Sequence, residues 1–224
     1  GNALPDQSFA NMGLKTISLP ASLKTSGKEL FTGNQALAAI IWNANENLPA
    51  EALSGIDNPN LLLYVNTKTY APASMNNVVA GGNAESIVLT EPGSDIASAG
   101  NFYVPTPFTA QKISYTRNFK QETEIGVCQG WETIALPFEA QTITHETNGA
   151  IAPFAKGDKT AKPFWLYELA PNGGFQATAT LKANTPYIIS MPNSMSYSDE
   201  YILKGNVTFS ATNAAINATA GSSI

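Results

Sequence analysis

The chain has one cysteine and one histidine in 224 residues. Cys128 therefore has no partner for an intrachain disulfide, and a cysteine-based zinc site needs more than one thiolate. A Ser-His-Asp triad, a Cys-His pair or a multi-histidine metal site would each have to use His145. Neither residue stands in anything like a nucleophile turn. Cys128 reads as a small buried hydrophobe in the run IGVCQGW, and His145 as a surface or strand-end polar residue. Charge is also scarce, at 13% of residues against about 25% in typical domains. The net charge of −5 argues against a nucleic-acid binder, which carries a basic footprint. No apolar run approaches the ~20 residues that span a bilayer. The G-x-G-x-x-G, G-x-x-x-x-G-K-[ST], G-x-S-x-G and H-E-x-x-H motifs are all missing.

Hydrophobic residues make up 43% of the chain, which excludes bulk disorder. Asn, Thr and Ser together supply 59 residues, so much of the surface is neutral and polar. A compact chain of 23.7 kDa buries roughly 70% of its unfolded surface, enough for a sizeable core. Its length fits one large domain or two small ones.

The strongest internal signal is a repeat of 22–24 residues. Leu14-Lys15-Thr16-Ile17-Ser18-Leu19 aligns with Leu37-Ala38-Ala39-Ile40-Ile41-Trp42, then with Asn60-Leu61-Leu62-Leu63-Tyr64-Val65, then with Ala84-Glu85-Ser86-Ile87-Val88-Leu89. Two registers stay apolar: Ile17, Ile40, Leu63, Ile87, and Leu19, Trp42, Val65, Leu89. A third mark, Phe9, Phe31, Leu53, precedes three of the segments. One short strand per turn with alternate side chains inward, plus a return segment adding one more, cannot bury its apolar face alone. Such turns must stack.

The stretch LPDQSFANMGLKTISLPASLKTSGKELFTGNQALAAIIW resembles the BspA-like leucine-rich repeat. Leu4, Pro5, Phe9, Leu14, Ile17, Leu19, Pro20 and Leu23 occupy its pattern positions. The next unit keeps Phe31, Leu37 and Ile40 but has Trp42-Asn43 in place of Leu-Pro. The third starts from Leu53 and puts Asn60 where an apolar residue belongs. The fourth lacks a clear return-segment residue. The resemblance covers about residues 3–90.

Residues 91–107, rich in Gly, Ser and Pro, read as a junction. Lys112–Arg117 is a strand candidate with the option of stacking as a last rung. From Gly126 on, short strands alternate with turns: Trp131–Phe138, Phe164–Leu169, Phe175–Leu181, Pro186–Met191, Tyr201–Leu203 and Val207–Phe209. Ala170-Pro171-Asn172-Gly173-Gly174 marks a hairpin. The tail from Asn213 to Ile224 is expected to fray. The fold class expected is mainly β: a short leucine-rich-repeat-like solenoid over residues 1–104 with a C-terminal cap, then a small antiparallel β-sandwich or barrel over 105–224. GWETIALPF, followed by LKANTPYIIS, is similar to a C-terminal module that often follows BspA-like repeats in exported proteins of Bacteroidetes. That match uses Trp131, Leu136, Pro137, Phe138, Pro186 and Tyr187.

Several chemical candidates are weak. Gly81-Gly82 reads as a turn. Glu122 and Glu124 would share one strand face as ordinary solvated carboxylates, and Asp199-Glu200 is similar. Asp57-Asn58-Pro59-Asn60 lacks the acidic density of a calcium loop. No cofactor, metal or catalytic centre is expected. The outward strand positions are more informative. Alternation gives the rows Thr16, Ala39, Leu62, Ser86 and Ser18, Ile41, Tyr64, Val88. Ile41, Leu62, Tyr64 and Val88 form an apolar cluster, expected to be covered by the chain after residue 91 or by a partner. The resemblance implies a non-catalytic exported or cell-surface protein, with its signal or anchor outside this segment. It would act in adhesion or ligand binding, towards a host matrix protein or a glycan, without spanning a membrane. The alternatives are a carbohydrate-capture module or a structural spacer. Carbohydrate capture needs exposed planar aromatics, for which Tyr64, Tyr70, Tyr103, Trp165 and Tyr197 are the candidates. The oligomeric state is left open.

Overall fold

The structure, a computed structural model, describes residues 2–91 and 102–219. Most of the expected junction and the last five residues lie outside the described residues. The chain divides into two compact units, Gly1–Ile113 with Asn213–Ile224, and Ser114–Thr212. The division expected at 104/105 falls inside the first unit. The chain also returns to that unit at Asn213.

In the first unit the repeat forms a parallel-strand solenoid. Its strands are β1 (Ala3–Leu4), β2 (Thr16–Leu19), β3 (Thr25–Ser26), β4 (Ala39–Trp42), β5 (Leu62–Val65), β6 (Val78–Ala80), β7 (Asn83–Ala84) and β8 (Ile87–Thr90). β2, β4 and β5 pair in parallel with Ile17 opposite Ile40 opposite Leu63, and Leu19 opposite Trp42 opposite Val65. Both apolar registers therefore match the 23-residue offset. Ile40, Leu63 and Trp42 are buried with Leu30, Phe31, Leu37 and Leu48 in one core. Ile17, on the outermost strand, is half-buried. Each fully buried side chain of this kind contributes roughly 1.5–3 kcal/mol. The Trp42 indole N–H, which must not be stranded in that core, donates to the Glu46 carbonyl at 2.8 Å.

The return segments stack as regularly as the strands. Gln7, Phe9 and Asn11 N–H groups donate to the Lys28, Leu30 and Thr32 carbonyls, and Glu29, Leu30 and Gly33 repeat the pattern onto Glu51, Ala52 and Gly55. Phe9 lies flat on Phe31, with ring centroids 5.9 Å apart and planes 8° apart. Asn11, Gly33 and Gly55 share a left-handed backbone (φ 56°, 74° and 79°), which asparagine and glycine adopt at least cost. The returns hold no α-helix, only short 3₁₀ turns such as Ala50–Leu53.

Asparagine carboxamides close the gaps between turns. Buried Asn34 accepts from the N–H groups of Met12 and Leu14 and donates to the carbonyls of Phe9 and Phe31. Asn58 donates to Leu37 O, one turn back. Beyond the strands, Asn43 donates to Leu19 O and Asn66 to Asn43 O, at 2.8 and 2.9 Å. Asn43 thus does stacking work at a position where the repeat pattern has proline.

The fourth rung differs from expectation. β6, not the Ile87 segment, lies parallel beside β5, with Leu63 opposite Val78 and Tyr64 opposite Val79. After Gly81-Gly82 the chain turns back through β7. β8 instead neighbours the next strand, β9 (Phe108–Asn118). Its backbone is also held by two buried side chains. Asn77 brackets the N–H and C=O of Val88 (2.7 and 3.1 Å), and Asn60 does the same for Thr90 (2.9 Å each). Each carboxamide stands in for a strand neighbour. This explains the polar residue at Asn60. β9 is longer than the expected strand and pairs through Thr109 and Ala110 with β7. The tail corrects expectation as well. Asn213–Ile216 is strand, Ile216 is buried, and Thr219 exchanges two hydrogen bonds with Val104.

The second unit contains β10 (Glu132–Ile134), β11 (Thr142–His145), β12 (Gly149–Pro153), β13 (Lys162–Leu169), β14 (Phe175–Ala177), β15 (Tyr187–Ser190) and most of β16 (Asn206–Ile216). The strand order is β10-β15-β13-β12-β11-β16, with β14 on the end of β13. All these pairs are antiparallel except β12 with β13, which is parallel. The unit is mainly β, as expected, but its ladder is mixed and not purely antiparallel. β14 is shorter than expected and exposed, and Tyr201–Leu203 is not a strand.

The asparagine contacts are testable. Asn34→Ala removes four hydrogen bonds and strands the Met12 and Leu14 N–H groups and the Phe9 carbonyl, while the Phe31 carbonyl keeps the Asn34 N–H; it should cost about 3 kcal/mol. Asn66→Ala, at an exposed site, should cost less than about 1 kcal/mol. Urea unfolding of both variants measures this. Equal losses would show that buried carboxamides do not dominate the stacking.

Candidate functional site

The outward face of the coil proves largely internal to the first unit. Leu62 is fully buried, Tyr64 is buried and Ile41 is half-buried. Tyr64 packs edge-on against Phe108 at 6.2 Å, and its hydroxyl donates to the Thr106 carbonyl at 2.8 Å. Burial pushes that hydroxyl up to about 12, so it stays protonated and remains a donor. The cover is thus chain beyond residue 91, within the same unit. Val88 does not belong to the cluster. Val79 takes its place beside Tyr64, and Val88 is 37% exposed on a different strand. The Ile87-Val88-Leu89 alternation is genuine, since Ile87 and Leu89 are buried. It belongs to a strand that is not a rung.

The second unit carries an open cleft of about 420 Å³, lined by aromatic rings. Its floor is three neighbouring strands. β15 lies between β10 and β13, with Ser190 opposite Trp165 and Ile189 opposite Glu132. One residue further along the latter pairing, Trp131 stands level with Ser190. Strand alternation sends Phe164, Leu166, Tyr187 and Ile189 into the core and leaves Trp165, Tyr167 and Ser190 on the other face. Trp131 meets Tyr167 edge-on at 5.4 Å and 87°, and Trp165 meets Tyr197 at 5.9 Å. Phe154 leans on Trp165 at 5.4 Å. An adjoining groove of about 580 Å³ shares Ile125, Trp165 and Tyr197 and adds Phe154 and Tyr201.

Two loops wall the cleft, and polar clamps fix them. Thr123 and Asn193 bond reciprocally: the Thr123 N–H donates to Asn193 Oδ1 and the Asn193 N–H to Thr123 Oγ1, each at 3.0 Å. The Asn193 amide also donates to Gln121 O. A Cβ on Gly130 would run into Thr123 Cγ2 and the Glu122 carbonyl, and φ there is +78°. Only glycine lets the chain pass so closely beside Glu122 and Thr123 just before Trp131. Arg117 holds the neighbouring strand by donating to Glu132 Oε2 at 2.5 Å and to the Thr133 carbonyl at 2.7 Å.

Of the five expected aromatics, Trp165 and Tyr197 meet in this cleft. Tyr64 is buried, Tyr70 packs against the coil core, and the Lys15 ammonium sits over the Tyr103 ring at 4.7 Å. Trp131, Tyr167 and Phe154 complete the site, and sequence reading missed them in that role. Cys128 is exposed and lines the cleft, where a buried residue was expected. Residues 124–127 close a tight bridge and the following side chains face outward. For the same reason Glu122 and Glu124 share no strand face. Among the described residues no group of three or more His, Cys, Asp or Glu is placed to hold a metal ion, and no helix is long and apolar enough to cross a membrane. No family model, curated protein or solved structure matches the chain.

His145 ends β11 as expected for a strand-end residue, but it is buried, not surface. Asn148 approaches its Nδ1 at 2.9 Å. Burial lowers its pKa below the usual imidazole value. The Glu146 charge and the Lys204 backbone pull the other way, and Lys162 adds to the lowering. The folded chain therefore holds the ring neutral, while the unfolded chain protonates it near pH 6.5. Stability is complete above that pH and falls as pH drops through it. Urea midpoints at about pH 7.5 and about pH 5.5 should differ more for wild type than for His145→Gln. Equal differences would mean that the ring is not held neutral.

Proposed function

We propose that this chain is a non-catalytic, exported binding protein, with the repeat coil as scaffold and the aromatic cleft of the second unit as capture site. The observation that carries the reading is the cleft itself. Four half-buried rings, Trp131, Trp165, Tyr167 and Tyr197, line an open hollow where a folded chain gains most by burying them. Ring pairs on a strand-built floor with clamped loops are preorganised for contact, which lowers the cost of binding. Aromatic anchors in such positions dominate binding energy. Among the described residues, the titratable side chains lining the cleft beyond its tyrosines are Glu124 and Cys128, which favours holding a ligand over transforming one. Export is supported by the resemblance of residues 3–90 to BspA-like surface repeats.

The test is capture on immobilised polysaccharides and extracellular-matrix proteins, compared with Trp165→Ala and Tyr197→Ala. Each substitution should reduce capture by tenfold or more, about 1.4 kcal/mol, with little change in melting temperature. Capture unaffected by both variants would move the site elsewhere.

A further inference from the structure

Ser190 is only 2% exposed and lines the cleft, yet its Oγ makes no hydrogen bond to any described protein group. A buried hydroxyl without a partner is disfavoured, and native structures leave few. The polar side chains of Thr123 and Asn193 nearby are already engaged. Thr123 Oγ1 donates to the Met191 carbonyl, and Asn193 is fully used in clamping the loops. Ser190 is the exception. It lies at the base of the site, level with an indole on each flanking strand. Strand spacing puts the backbones of those two tryptophans roughly 10 Å apart.

We infer that the cleft binds a neutral pyranose unit of a glycan, with its C–H faces against the indoles and one ring hydroxyl bonded to Ser190 Oγ. This rests on the cleft being the capture site. The assignment follows from what each ligand class could satisfy. A quaternary ammonium suits an aromatic cage but has no group to offer Ser190. A hydrocarbon fails in the same way. Among the described residues lining the cleft, the one fixed charge is the Glu124 carboxylate, so an anion meets no opposite charge. A pyranose carries an apolar face and a rim of groups that both donate and accept, matching rings on two sides and a hydroxyl between them. Gln129 and Ser190 are neutral and polar, and they mark where the rim would lie. A proline-rich strand also stacks on aromatic grooves, and is the rival that the experiment must separate.

The experiment uses the full chain and follows tryptophan fluorescence during titration. The probes are neutral gluco-, manno-, galacto- and xylo-hexaoligosaccharides, a tetramethylammonium salt and a polyproline peptide. At least one neutral oligosaccharide should saturate the signal, and tetramethylammonium and the peptide should not. Ser190→Ala should weaken that binding roughly tenfold while leaving the melting temperature unchanged or raised, because it removes an unpaired buried group. A purely structural serine would show the reverse. If Trp165→Ala abolishes capture of some immobilised protein but no oligosaccharide titrates, the cleft stands and the glycan assignment falls. Saturation by polyproline in place of the sugars overturns it likewise. If a sugar binds equally well to Ser190→Ala, the hydroxyl anchor is wrong. If sugar binding survives Trp165→Ala, the cleft itself is wrong.

Discussion

A coil of short strands pairs its backbone along each four-residue rung and again along its stacked returns, and the corners between them leave peptide groups facing a dry interior. Such groups must find partners. Here the partners are carboxamides. An asparagine side chain carries the donor and acceptor of a peptide unit on a short tether. Asn34 uses both at the inner corner, and Asn60 and Asn77 extend the same device to an entire strand, whose backbone they bracket. Leucine and phenylalanine fill the core, but without these amides the corners that carry the core residues would be costly to bury.

The second unit solves a different problem. Its ladder gives one face to the core and leaves the other bearing bulky rings. Rings on such a face usually need a covering sheet. Here two loops, pinned by Thr123, Asn193 and Gly130, rise beside them and leave the middle open. The openness is therefore built by the same contacts that order the loops, and Ser190 lies beneath it.

What was legible in the sequence follows from periodicity. Ile17, Ile40 and Leu63 recur at one spacing because each turn repeats the same local geometry, and that spacing gave the strand register residue by residue. The reading broke at Ile87-Val88-Leu89, which keeps the apolar alternation while serving another strand. Val78-Val79-Ala80, the true rung, is short and arrives early, without the flanking marks of its predecessors. The polar residues that signalled the change, Asn60 and Asn77, look like ordinary turn formers until their partners are seen. The cleft was legible only in fragments. Trp165 and Tyr197 could be named as planar aromatics, but Trp131, Ser190 and Tyr167 are joined by strand order in a mixed ladder, and no repeat announces that order.

Because β2, β4 and β5 pair only with their neighbouring rungs, the backbone partners of each of these turns lie about one repeat away along the chain. The entropy of closing a loop grows only with the logarithm of its length, so each added rung meets the same modest cost, while the cover on the outward face of β5 arrives from Thr106 and Phe108, later in the chain. Assembly can begin at the best-packed turn, around Phe31 and Trp42, and spread outward in steps, as in other linear arrays. By the same logic order is lost from the rim. Amide protons of Thr16–Leu19 lie on the outermost strand, and they would exchange with solvent well before those of Ala39–Trp42.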